Sequence, residues 1–284
     1  MLGMKLHFFE GLLRERRCQY PMNGVEKEKL LLHRNEKSYF TICAIVSVIG
    51  YLYLIISIVG IAVLAVLFLL PLFYHAISMA TIRKNGVRLT ARQFPEVYER
   101  TKDLAVRMGL TVMPDVYVLE SGGQLNAFAT RFFGRNMVVL YSDMFDLINS
   151  GANDELDYVI AHELAHIKRN HIGKHLFILP AMWIPFVGEA YSRACEYTCD
   201  RMAAYYTGNP EAAINGLTIL AIGKALYRQV DREEYLHQTQ QERGFFVWLA
   251  EKLSTHPALP NRMQEIHFLF REQVISKTAY PLNG

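Results

Sequence analysis

The sequence predicts an α+β protein, mostly helical, with a small β-sheet and, ahead of it, a transmembrane helix or helical hairpin. Three observations carry that prediction. Residues 41–74 hold no charged side chain and are dense in Ile, Leu, Val and Phe. Residues 115–141 contain three short stretches of strand character. From Asn153 onward the apolar residues recur at helical spacing.

The chain of 284 residues suffices for one large domain or two small ones with a sizeable core. An apolar share of 51% with 20% charged residues excludes both a disordered chain and a wholly membrane-embedded one. The formal charge of +3 is small and not gathered into a stripe, so no nucleic-acid partner is expected. Cys18 and Cys43 are isolated. Cys195 and Cys199 stand at i, i+4 on an expected helix, which suits buried thiols in a reducing compartment rather than a disulfide framework.

Mixed polar and charged residues precede the apolar run, so the N-terminus is not a secretory signal and the run is expected to be retained. Crossing a bilayer takes about 20 residues. The run exceeds this, and fits either one strongly tilted helix or two shorter spans meeting near residues 57–60, where Ser57 and Gly60 are the only turn formers. Basic residues flank it on both sides: Arg14, Arg16, Arg17, Lys27, Lys29, Arg34 and Lys37 before, Arg83, Lys84, Arg88 and Arg92 after. Two crossings leave both flanks in the cytoplasm, so the hairpin is preferred. Beyond the Asn85-Gly86 turn, residues 94–108 read as an amphipathic helix ending at Gly109. Residues 115–119 alternate as a strand, and 125–132 and 137–141 read as two more, joined across Gly134-Arg135-Asn136.

Asn153 as a cap and the early acids Asp154 and Glu155 open a helix that carries His162-Glu163-Leu164-Ala165-His166. Histidines at i and i+4 share one helix face, the separation that lets both imidazoles reach one tetrahedral zinc ion. Glu163, beside the first, can reach the water in the open coordination position and act as general base. The third ligand is less direct. A histidine six residues after the second would fall at position 172, which is Ile172, and Arg169 stands where that pattern needs glycine. His171 and His175 read as polar residues on the exposed end of the helix. An acidic helix over residues 191–204 offers Glu196 and Asp200 at i, i+4. Glu196 is then expected to complete the metal set, one zinc per chain, while Asp200 accepts the ring proton of a ligand histidine. Cys195 and Cys199 are the rival ligands, and would close the site structurally.

These residues resemble metallopeptidase family 48, the HtpX-like and CAAX-prenyl-protease-type zinc peptidases. The resemblance rests on Asn126-Ala127-Phe128-Ala129-Thr130, Glu155-Leu156 leading into His162 to His166, Ser192-Arg193 leading to Glu196 and Asp200, and Ser254-Thr255-His256-Pro257 followed by Arg262. It implies a gluzincin domain, a metalloendopeptidase activity and a role in membrane-protein quality control. It also implies that Asn126, Ala127 and Phe128 bind substrate backbone by strand addition. His256 and Arg262 are candidates to stabilise the oxyanion of peptide hydrolysis, or else to tie down their loop. The expected organisation is a cytoplasmic segment over 1–37, a transmembrane region over 38–80 and the peptidase domain over 81–284. The expected location is the bacterial inner membrane, with that domain facing the cytoplasm. The partners are then the lipid bilayer and a protein or peptide substrate. In HtpX further transmembrane helices part the zinc helix from the acidic helix. Here residues 176–187, broken by Pro180 and Pro185, are too short to span, and read as a core segment or a monotopic membrane contact, the core being preferred. The alternative function is a catalytically silent, membrane-anchored zinc-binding scaffold.

Overall fold

The computed structural model describes residues 24–120, 122–123, 126–132 and 134–279. Arg14, Arg16, Arg17 and Cys18 of the N-terminal segment, and Leu125 at the start of the second expected strand, lie outside the described residues. After a short helix α1 (Gly24–Leu31), the apolar run forms two helices, α2 (Glu36–Ile55) and α3 (Ile58–Asn85), each long and apolar enough to cross a membrane. The hairpin alternative is therefore the one adopted. Its turn is only Ile56 and Ser57. The Ser57 side chain caps α3 by accepting from the Gly60 amide at 2.8 Å. Gly60 must be glycine here, because a Cβ would stand 2.0 Å from the Leu54 carbonyl oxygen.

The rest of the chain runs through β1 (Val87–Arg88), α4 (Pro95–Arg107), β2 (Asp115–Leu119), β3 (Ala127–Phe132), β4 (Arg135–Tyr141), α5 (Asp146–Asn149) and α6 (Asn153–Lys168). It continues with α7 (His171–Phe177), α8 (Leu179–Met182), α9 (Val187–Thr207), α10 (Pro210–Ile222), α11 (Arg232–Gln241), α12 (Phe245–Leu253) and α13 (Leu259–Ala279). The sheet order is β1-β2-β4-β3, with β2 and β4 parallel and the outer pairs antiparallel. Three of these strands match the expected ones; β1, two residues long, was too short to show a period. Phe132 faces Arg135, so the β3–β4 connection is tighter than expected, and Gly134 supplies its positive φ of 80°. Gly109 (φ 72°) ends the helix before it, as expected. Asn153 is the first residue inside α6 and not its cap, a position held by Ala152 without a side-chain bond.

One large core joins α4, α6, α9, α10 and α13 to one face of the sheet through residues such as Leu104, Leu140, Ile160, Leu164, Leu217 and Ile266. The two legs of the hairpin grip this domain at separate places. The base of α2 packs through Cys43 on Ile178, Ala181 and Tyr191 of the α7–α9 region. The end of α3 packs Met79 and Ile82 on Met137 and Val139, against the other face of β4. Residues 176–187 thus divide: Ile178 and Ala181 are core, while Leu176, Phe177, Trp183, Ile184 and Phe186 are exposed.

Candidate metal centre

Helix α6 lies against α9 in the most extensive helix pair of the molecule, and that contact brings His162 and His166 to face Glu196. The Nε2 atoms of the two histidines are 3.3 Å apart. Glu196 straddles them, with Oε2 3.4 Å from His162 Nε2 and Oε1 3.3 Å from His166 Nε2. A tetrahedral ion with bonds of about 2.0–2.1 Å needs donors about 3.3–3.4 Å apart, so this donor set fits zinc. Cys199 Sγ also lies within 4.8 Å of a nitrogen of each histidine. Burial, and after it the charge of Glu196, pushes the Cys199 thiol well above its ordinary value, whereas a ligand sulfur must be a thiolate.

Each histidine presents its other nitrogen to a different partner. His162 Nδ1 is 3.0 Å from Asp200 Oδ1, at an angle short of a regular hydrogen bond. Asp200, with no exposed surface, accepts two bonds of 2.7 Å from the Arg262 guanidinium and one of 2.7 Å from the Tyr158 hydroxyl. Tyr158 reaches that position because Gly216 on α10 leaves room: a Cβ there would stand 2.7 Å from its ring. Arg262 also lies 3.3 Å from Glu196 Oε2. Burial alone would raise both carboxyls, but the Arg262 cation and the histidines hold Glu196 well below, and Asp200 below, the usual carboxylate range. Burial opposes protonation of His162, yet the carboxylates of Asp200 and Glu196 outweigh it and carry its pKa to about 10.

His166 Nδ1 faces His171 Nδ1 at 3.2 Å, and His171 Nε2 faces Glu36 Oε1 at 3.4 Å. The chain reaches this arrangement because Asn170 adopts the left-handed conformation (φ 52°), which asparagine tolerates, and turns α7 back under α6. His171 is 1% exposed, not on an exposed helix end as the sequence suggested, and burial pushes its pKa down to about 4. Glu36 is equally buried and also receives Arg169 Nη2 at 3.1 Å and Lys174 Nζ at 3.6 Å. His175, half-buried, hydrogen-bonds the His171 carbonyl at 2.7 Å and the Ser192 hydroxyl at 3.2 Å.

Sequence reasoning did not single out Tyr158 or Glu36, and it set His171 aside as exposed. Tyr158 had a usable signal, four residues before His162 on the same helix face. Glu36 had none, since 135 positions part it from His171.

A cleft of about 280 Å³ opens over the donor set, lined by Glu163, His162, His166, Glu196 and the start of β3. Asn126, Ala127 and Phe128 border it, as do His256 and Arg262. Arg262 is buried behind the carboxylates, whereas the His256 side chain is 67% exposed, with Nε2 3.8 Å from Glu196 Oε1. Its loop is anchored by Arg193, which donates to the carbonyls of Lys252 and Ser254 at 2.7 Å each. Strand β3 is an edge of the sheet. The Asn126 carbonyl accepts from the Tyr141 amide at 3.1 Å, so by alternation Ala127, Ala129 and Arg131 point their backbone groups away from β4. The Ala127 amide is taken by Asn126 Oδ1 at 2.9 Å, and the Arg131 carbonyl accepts from His75 Nε2 of α3 at 2.9 Å. Between them lie the Ala127 carbonyl and both groups of Ala129, on the border of the cleft.

The model of peptidase family M48 matches residues 91–187 and 174–269 of the chain. A protease HtpX homolog of Streptococcus pyogenes serotype M28 is 23% identical, the match covering 72% of this chain and 83% of the relative. The HtpX homologs of serotypes M5 and M1 are 22% identical over the same shares.

Proposed function

The chain belongs to peptidase family M48, and from that premise we propose that it is a membrane-anchored zinc endopeptidase whose metal is held by His162, His166 and Glu196. The observation that carries this reading is the pair of histidine nitrogens 3.3 Å apart with the Glu196 carboxylate across them, one oxygen 3.4 Å from His162 and the other 3.3 Å from His166, beside the buried Glu163 on the histidine helix. A zinc ion held by His162, His166 and Glu196 would supply a Lewis acid for the scissile carbonyl and would lower the pKa of a bound water towards neutrality. Glu163 removes a proton from the attacking water and delivers it to the departing amine. The substrate backbone adds as a strand to β3, pairing with the Ala127 carbonyl and the two groups of Ala129, so that its carbonyl is carried over Glu163. His256, exposed on the rim with Nε2 3.8 Å from Glu196 Oε1, is the candidate donor to the oxyanion. Arg262 serves as a positioning residue, since its guanidinium is spent on Asp200 and Glu196.

The ligand imidazoles are fixed from behind. Asp200 takes the Nδ1 proton of His162. His166 donates its Nδ1 proton to His171, which donates its own Nε2 proton to Glu36, the arrangement in which no two N–H groups face each other. The two-helix hairpin anchors the domain with both flanks on the cytoplasmic side, the arrangement the basic residues favour, and membrane proteins are the natural substrates of a quality-control peptidase placed there.

Glu163→Gln tests the assignment. Zinc content should stay near one equivalent while casein cleavage falls by about 10²- to 10⁴-fold. Unchanged cleavage would remove Glu163 from the reaction. A wild-type chain that holds zinc and cleaves neither casein nor itself would favour the silent scaffold.

A further inference from the structure

We propose that residues 176–186 and helix α12 form a second membrane contact, a shallow interfacial surface of the peptidase domain that enters the same leaflet as the base of the hairpin. The inference rests on the reading of α2 and α3 as membrane spans.

The depth of this surface follows from what it touches. The Ala181 amide donates to Ser47 Oγ at 3.1 Å, Tyr51 donates to the Phe177 carbonyl at 3.3 Å, and a Cβ on Gly50 would stand 3.3 Å from Pro180. Residues 177–181 therefore lie along residues 47–51 of α2. Ser47 and Tyr51 are about 9 Å and about 15 Å beyond Thr41, where the uncharged run begins, at 1.5 Å per residue. On either side of the contact α2 presents Ile45, Ile49 and Leu52 outward, all more than half exposed. A segment bound at this height cannot stand in water while its neighbours stand in lipid. Interfacial helices rest about 5–10 Å deep, which matches the Ser47 end of this contact, and the Phe177 end reaches deeper.

The composition suits that depth. No charged residue occurs from Leu176 to Gly188, and Leu176 (57% exposed), Phe177, Trp183, Ile184 and Phe186 leave their side chains uncovered. Helix α12 continues the surface: Phe186 and Trp248 lie 6.2 Å apart and Trp248 and Phe245 6.0 Å, with Phe246 81% exposed beside them. The charged residues stand at its two ends, Glu242 and Arg243 before it and Glu251 and Lys252 in its last turn, leaving the aromatic stretch between them uncharged. The backbone is prepared as well. Hydrocarbon offers no partner to an open amide. The amides of Met182, Trp183, Ile184 and Val187 donate to carbonyls between Ile178 and Ile184, the Ile178 amide donates to the Lys174 carbonyl and that of Ala181 to Ser47 Oγ, and Pro180 and Pro185 have no amide hydrogen. His175 borders the cleft and the lipid-facing Leu176 and Phe177 follow it directly, so the cleft opens within one short helix of the bilayer. The segments it would meet are the juxtamembrane stretches of other membrane proteins.

The chain contains two tryptophans, Trp183 and Trp248, and both are on this surface. The full chain is reconstituted in phosphatidylcholine–phosphatidylglycerol vesicles as Trp183→Phe and Trp248→Phe, each leaving one reporter. Flotation first reads whether the hairpin has inserted. The expected result is that each tryptophan is quenched by phospholipid brominated near the headgroup, less by phospholipid brominated near the chain ends, and is shielded from aqueous iodide. Floating vesicles with both tryptophans open to iodide and untouched by bromine overturn the second contact and leave the hairpin standing. Shielding from iodide without bromine quenching overturns it in favour of a protein partner or a second copy. A chain that does not float overturns the hairpin and this surface together.

Discussion

His162 and His166 stand one turn apart on α6 and point the same ring nitrogen at the same carboxylate, yet they are oriented by different parts of the molecule. Behind His162 is Asp200, pinned by Arg262 and Tyr158 from α13 and α6, wholly inside the peptidase domain. Behind His166 is a relay that leaves the domain: His171 on α7, then Glu36 in the first turn of the hairpin. The first arrangement depends on packing within one core. The second depends on where a membrane helix sits against that core, so anchoring and metal geometry are one problem at His166 and separate problems at His162.

The largest effect should come from removing what the two histidines share. Glu196→Ala leaves two protein ligands, and zinc should be lost on dialysis together with activity, read by elemental analysis beside one peptidase assay. Zinc retained at one equivalent would show that the centre of the comparison is misplaced. The two branches come next. Asp200→Asn should weaken zinc about 100-fold and Glu36→Gln about tenfold, the latter less because an imidazole still stands behind His166. Competition against a chromophoric chelator, in detergent on the full chain, measures both. If the branches are independent, the double variant should lose the product of the two factors, to within about 0.5 kcal/mol. Wild-type affinity in Glu36→Gln would break the relay, and strong non-additivity would show that the branches communicate through Glu196. The smallest effect belongs to Cys199→Ser, which should hold zinc almost as wild type does; a loss exceeding that of Asp200→Asn would make the thiol a ligand.

The difference between the branches also marks what the sequence could tell. That His162 and His166 share one helix face and Glu196 and Asp200 another was legible from helical spacing, and the family resemblance pointed to the same four residues. The hairpin and three of the strands were legible because length without charge and period-two alternation are local signals. The relay was not, because nothing in the order of residues announces that Glu36 will meet His171. His171 itself was misread for a related reason: its burial comes from α2, α7 and α9 closing around it, and from the turn at Asn170, not from the periodicity of α6. Residues 176–187 were ambiguous because two prolines leave helices of seven and four residues, too short to show which side faces the core.

The turn between α2 and α3 bears on how such a chain gets into a bilayer. With Ile56 and Ser57 as its whole length, and Gly60 pressed on the Leu54 carbonyl, there is no loop to thread across and no charged group to carry. In the proposed topology, with both flanks on the cytoplasmic side, the helices go in as a closed pair, tip first. In that topology, lengthening the tip with a few charged residues would add charge that has to cross the bilayer.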